Sequence, residues 1–129
     1  MAYTYDTDNI FAKILRGEIP NDTVLETDHA LAFRDIAPQA PVHVLVVCKG
    51  PYVNFDHFMA GASDAEIVDF NRAVAQVIDR LGLSPSEDHD GTGYRIISNS
   101  GAHGMQDVPH LHVHILGGRR LGRLVERAD

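Results

Sequence analysis

Residues 109–119 read Pro109-His110-Leu111-His112-Val113-His114-Ile115-Leu116-Gly117-Gly118-Arg119, with histidines alternating with large aliphatics ahead of a diglycine. Alternation with period two is the pattern of a strand with one face in the core. It predicts Leu111, Val113 and Ile115 toward the interior. It sets His110, His112 and His114 in a solvent-facing row on the other side, neighbours roughly 6.5 Å apart along the strand. Polar strand faces are ordinarily built from Thr, Ser, Lys or Glu. A row of imidazoles points to chemistry instead, because imidazole is the side chain most readily tuned to move protons or attack phosphorus near neutral pH.

Outward from this strand, the totals narrow the possibilities. A chain of 129 residues fits one domain with one core. Hydrophobic content of 44% and charged content of 22% are those of a soluble globular protein. There is no long apolar run and no charged-then-apolar start, so neither a membrane span nor a secretory signal is expected. Cys48 is the single cysteine and has no intrachain partner, which fits a reducing cytoplasm. A formal charge of −7 argues against a general nucleic-acid binder. It does not argue against one nucleotide, whose phosphate needs only local donors.

In chain order, residues 1–8 are polar and expected to be mobile. Asp8 or Asn9 can cap a short helix that carries Ile10, Phe11, Ile14 and Leu15 and stops at Gly17. Residues 23–26 and 30–33 read as strands joined by a hairpin at 27–29. Asp35 follows directly, ahead of Pro38 and Pro41, and suits a turn that satisfies nearby backbone N–H groups. Residues 41–48 form a continuous apolar run, a strand buried on both faces, with His43 as its one polar side chain. Residues 49–61 read as an irregular link. Ser63-Asp64-Ala65-Glu66 has capping-box spacing and opens the one long helix. Its stripe is Ile67, Phe70, Val74, Val77, Ile78 and Leu81, ended by Gly82. Residues 83–93 are an acidic loop and residues 94–99 a fourth strand. The glycine-containing loop 100–108 can turn several N–H groups toward an anion, with Asn99 placed to donate an amide hydrogen bond. The fold class is α+β: about five antiparallel strands with one long and one short helix, over a single domain at 9–124, followed by a tail at 125–129.

The triad strand, together with Asn9-Ile10-Phe11-Ala12-Lys13-Ile14, Gly17-Glu18-Ile19-Pro20, Ala32-Phe33-Arg34-Asp35-Ile36-Ala37-Pro38-Gln39-Ala40-Pro41 and Gly93-Tyr94-Arg95, resembles the histidine triad superfamily of nucleotide hydrolases and transferases. Within it the chain looks like the Hint branch, the purine nucleoside phosphoramidases. The likeness runs from Asn9 to Leu124. It implies a homodimer with the sheet extended across the pair and the long helix and a strand at the interface. It implies that Ile10, Phe11 and Ile14 line a purine pocket, with Phe33 and Ile36 also on the substrate. The same apolar residues of the short helix suit a plain core-covering role. Asp35 would accept the ribose hydroxyls. His43 would stand behind the triad and fix the orientation and proton of one ring.

The resemblance also assigns the chemistry. His112 would attack the α-phosphorus, its other nitrogen held by a backbone carbonyl. His114 would stabilise or protonate the leaving group, and His110 would complete the network. Asn99 and the backbone N–H groups near Gly104 and Met105 would hold the phosphate oxygens. No metal and no cofactor are required. The expected partners are a purine nucleotide or nucleoside phosphoramidate and a second copy of the chain, not nucleic acid or a membrane. Two positions depart from the branch. Gly104-Met105-Gln106 stands where Gly-Gly-Gln is frequent, and the Met105 N–H serves only if its φ is not positive. Asp107 stands where some relatives carry serine, so it is expected to point away from phosphate or to be protonated. The rival readings are a zinc site on the histidines and a nucleotide-binding module with negligible turnover. The basic stretch 119–124 would reach a partner's site or form a solvated tail.

Overall fold

The computed structural model describes residues 2–127. Its elements are α1 (Ile10–Leu15), β1 (Thr23–Glu26), β2 (Ala30–Arg34), β3 (Val42–Cys48), α2 (Phe55–Gly61), α3 (Asp64–Arg80), β4 (Tyr94–Ile97) and β5 (His112–Gly117). The strands form one antiparallel sheet in the order β1-β2-β3-β5-β4. The triad strand is therefore interior, between β3 and β4, while β1 and β4 are edges.

Period two sorts the strands onto two faces. Val44, Val46 and Cys48 of β3, with Leu111, Val113 and Ile115, pack against Phe70, Ala73, Val74, Val77 and Ile78 of α3. Leu45 and Val47 point the other way, into a smaller cluster with Leu31 and Phe33 of β2 and Phe11 and Ile14 of α1. His114 pairs with Leu45 and His112 with Val47, so the two imidazoles stand over this second cluster. The long helix begins at Ser63 with a capping box closed by Glu66, and Gly82 follows its end at φ +70°.

Two expectations need correction. Residues 49–61 are not irregular throughout: Asn54 caps α2 by accepting from the His57 N–H, and Phe58 anchors the helix in the core at 1% exposure. A helix this short with one buried side chain leaves no periodic trace. There are thus two short helices beside the long one among the described residues. Nor is the histidine row solvent-facing. His110 is fully buried and His112 is 6% exposed, because α1 lies over that face and Phe11 meets the His112 ring edge-on at 4.9 Å. His110 also precedes the strand rather than belonging to it. The polar N-terminal segment makes two side-chain contacts with the rest of the domain: the Tyr3 hydroxyl donates to Asp56, and the Tyr5 hydroxyl meets His110.

Candidate active site

The second face opens into a cleft of about 880 Å³. One wall is α1, through Ile10, Phe11 and Ile14, and the segment after it, through Ile19. Phe33, Ile36 and Leu45 line the cleft as well, together with His112, His114, Asn99, Gly104 and Met105. Asp35 also lines it. Eleven of the thirteen side chains singled out from the sequence therefore share one cavity; His110 and His43 do not line it. Ile36 is 98% exposed, so it is a wall only for something that packs on it.

Hydrogen bonds fix where the ring protons sit. The Gln39 N–H donates to His43 Nδ1 at 3.1 Å, so the proton of a neutral His43 is on Nε2. His43 Nε2 lies 2.9 Å from His114 Nδ1, and Asp35 Oδ2 is 3.4 Å from the same nitrogen. His43 donates to His114, which keeps its own proton on Nε2. His112 Nδ1 donates to the His110 carbonyl at 2.7 Å, leaving the lone pair on Nε2. The cleft end thus carries a bare imidazole nitrogen beside an imidazole N–H, with the two ring centroids 5.0 Å apart.

Burial keeps these rings neutral. Loss of water pushes His43 and His112 below the ordinary histidine value, against the pull of Asp35 on both. His114 is pushed down to about 4, first by burial and then by repulsion from His112 and His43. His43 is then uncharged near neutral pH and gives its one Nε2 proton to His114, so its 3.4 Å approach to Asp35 is not an ion pair. The other Asp35 oxygen accepts from the Ala37 N–H at 2.8 Å, so this carboxylate does cap its own turn.

Asp35, His43 and His114 also bring three potential ligand atoms within 4.8 Å of one another. The proton between His43 and His114 lies between two of those atoms. A divalent cation would have to displace it.

The loop 100–108 differs from expectation at Met105. Its φ is +56°, and its N–H donates to the Ala102 carbonyl at 3.1 Å, so that N–H is spent within the turn. Gly104 is required where it stands, because a Cβ there would meet the Ser100 carbonyl oxygen at 2.5 Å. Gln106 pins the loop by donating to the Val53 carbonyl at 2.6 Å. Replacing Met105 with glycine should relieve the left-handed backbone and stabilise the fold by about 1 kcal/mol. Urea midpoints at constant slope would measure it, and an unchanged or lower midpoint would refute the strain argument. Asp107 neither points away nor sits in a dry site: it lines the cleft and is solvent-exposed, where water screens its charge.

Several cleft residues were not singled out from the sequence. Leu45 was legible as the same-face neighbour of His43. Ile19, Pro20 and Gln39 fall in stretches that carry the family resemblance but were given no role, and Ser98 carries no signal of its own. Leu124 and Val125 line the cleft of their own chain, because Arg95 donates to the carbonyls of Gly122 and Arg123 and holds the tail against β4.

Comparison with known proteins places this arrangement. The model of the HIT domain matches residues 16–121. The chain belongs to the HIT domain family. A HIT-like protein of Azospirillum brasilense is 54% identical over 127 residues, covering 98% of this chain and 99% of that protein. The purine nucleoside phosphoramidase of Escherichia coli is 39% identical over 120 residues, covering 92% of this chain and 93% of that protein. Among solved structures, a histidine triad protein from Clostridium difficile superposes with a TM-score of 0.77 at 37% identity, covering 95% of this chain and all of that one. The five-stranded HIT fold is thus shared over nearly the whole length.

Proposed function

We propose that this HIT protein hydrolyses purine nucleoside phosphoramidates to nucleoside monophosphates through a nucleotidyl-histidine. One observation carries the reading: the hydrogen-bond pattern leaves His112 Nε2 unprotonated beside the Nε2–H of His114 in one cleft. The likeness to the Escherichia coli phosphoramidase supports the substrate class. Apolar side chains of Ile10, Phe11, Ile14, Phe33 and Ile36 suit a flat purine, and Asp35 is the cleft carboxylate assigned to ribose.

The steps follow from the proton positions. A bound phosphate raises the proton affinity of His114, which takes a proton from solvent on Nδ1 and becomes an imidazolium, the Nε2–H of His43 then turning to Asp35 Oδ2 in its place. His112 Nε2 attacks the α-phosphorus, the P–N bond breaks, and the departing nitrogen takes the His114 proton and leaves as neutral amine. The nucleotidyl group remains on Nε2, with the ring's Nδ1–H still on the His110 carbonyl. Water then attacks phosphorus, its proton passes to neutral His114, and the monophosphate departs. Asn99 and the Gly104 N–H are the donors assigned to the equatorial oxygens. Met105 no longer belongs in that role through its N–H.

The protein also acts as a homodimer in this reading. Edge strand β4 exposes Tyr94 and Ile96, 43% and 51%, and Phe55 shares a small apolar hollow with Ile96. An open edge with apolar side chains is normally covered. Sedimentation should return the mass of two chains; the mass of one would remove the pairing.

The enzymatic test is mass spectrometry of protein quenched during turnover. A mass increase of one nucleotidyl group on the peptide containing His112 is expected. Amine release with the adduct on another residue would overturn the mechanism. Nucleotide binding with no amine release would favour a binding module.

A further inference from the structure

Tyr5 lies outside residues 16–121, the span matched by the HIT domain. Its hydroxyl is nonetheless 2.5 Å from Nδ1 of His110, a fully buried ring that lines no part of the cleft. The other ring nitrogen, Nε2, is 2.6 Å from the Cys48 carbonyl. A carbonyl only accepts, so Nε2 carries the ring proton, Nδ1 must accept, and the Tyr5 hydroxyl must donate. The backbone of His110 is committed as well. Its N–H donates to the Val108 carbonyl at 2.8 Å, and its own carbonyl accepts from His112 Nδ1 at 2.7 Å. Phe11 closes the pocket edge-on to both rings, at 6.3 Å from His110 and 4.9 Å from His112.

We propose that Tyr5 is a positioning residue for the triad: its O–H locks the His110 ring, and through the His110 carbonyl keeps the His112 proton on Nδ1 and the lone pair on Nε2. The N-terminal segment is then part of the active-site support. Without the hydroxyl, a buried acceptor nitrogen is left unpaired, and the ring recovers a partner only by turning or by admitting water. Either movement pulls on the carbonyl that orders His112. The consequence for turnover rests on the covalent-histidine reading; the consequence for the rings does not.

The test uses the full chain as wild type, Tyr5→Phe and Tyr3→Phe. Tyr3 belongs to the same segment, and its hydroxyl donates to Asp56 at 2.6 Å, away from the triad. Ring ¹⁵N shifts of His110 and His112 are read by NMR, and kcat and KM are measured with a purine nucleoside phosphoramidate. Wild type should show His110 as the pure Nε2–H form and His112 as the pure Nδ1–H form. In Tyr5→Phe both should move toward mixtures, and kcat should fall about 10-fold, as when a group behind a reactive ring is lost, with KM held within about two-fold. Tyr3→Phe should match wild type throughout. Unchanged rings in Tyr5→Phe, unchanged kcat whatever the rings do, or an equal loss in Tyr3→Phe would overturn the proposal. If wild type releases no amine, the proposed function falls, and the ring shifts alone decide the role of Tyr5.

Discussion

His112→Asn should lower kcat for a purine nucleoside phosphoramidate by about 10⁴-fold or more, with the affinity for a purine monophosphate changed only a few-fold. Asparagine is chosen because its side-chain N–H₂ can still donate to the His110 carbonyl that now takes His112 Nδ1 at 2.7 Å. The packing against Phe11 and the entry of β5 then stay close to their present form. What disappears is the lone pair opposite that donor, and no neighbour can replace it. His114 Nδ1 accepts from His43, so its free side is an N–H. His110 Nε2 donates to Cys48 and is buried. His43 Nδ1 is held by the Gln39 N–H. Among these four imidazoles, His112 alone offers an unshielded acceptor nitrogen to the cleft. His114→Ala should cost less, on the order of 10²- to 10⁴-fold, because it removes a proton donor and leaves the attacking atom in place. Steady-state kinetics with isothermal titration of the monophosphate would read both variants. A His112→Asn enzyme within ten-fold of wild type would show that another group attacks.

The strand that carries these rings was legible because its two faces have different jobs. Leu111, Val113 and Ile115 sit in the α3 core, as period two requires. Periodicity could not say what covers the other face. That depended on α1 folding over it, a contact between residues about a hundred positions apart in which Phe11 meets His112. The carbonyl that holds His112 was expected as a type of partner. Its owner, His110, follows only from the turn that precedes β5. Met105 shows the same limit at a smaller scale. The residue type left the sign of φ open, and the loop imposes +56° because the turn closed by Gln106 and the glycines around it fix the path. The helix α2 left no pattern because one phenylalanine supplies nearly all its burial. Tyr5 was unreadable as a partner of His110, since nothing in a polar N-terminal segment marks one tyrosine hydroxyl as the donor to a ring in the core.

Acid should unfold this protein earlier than its carboxylates alone would require. His110 and His114 are each held down to about 4 from the ordinary 6.5, chiefly by burial. Between those two values the unfolded chain binds protons that the folded chain refuses, so stability falls as the pH falls. The contribution is intact above about pH 6.5 and is lost progressively on the way to pH 4. His110 is worth on the order of 3 kcal/mol over that interval; the less buried His114 contributes less because solvent screens it, and mutual repulsion among the rings keeps the two from being independent. Domains of this size are stable by only about 5–15 kcal/mol, so the loss is a large share of the total. Urea midpoints followed by circular dichroism should therefore drop steeply between pH 6.5 and pH 4. His110→Gln should flatten that slope whatever it does to the midpoint at pH 7, because an amide does not titrate. An equally steep slope in His110→Gln would mean that this ring is protonated inside the fold. The proton would then sit on Nδ1, where the Tyr5 hydroxyl would have to turn from donor to acceptor.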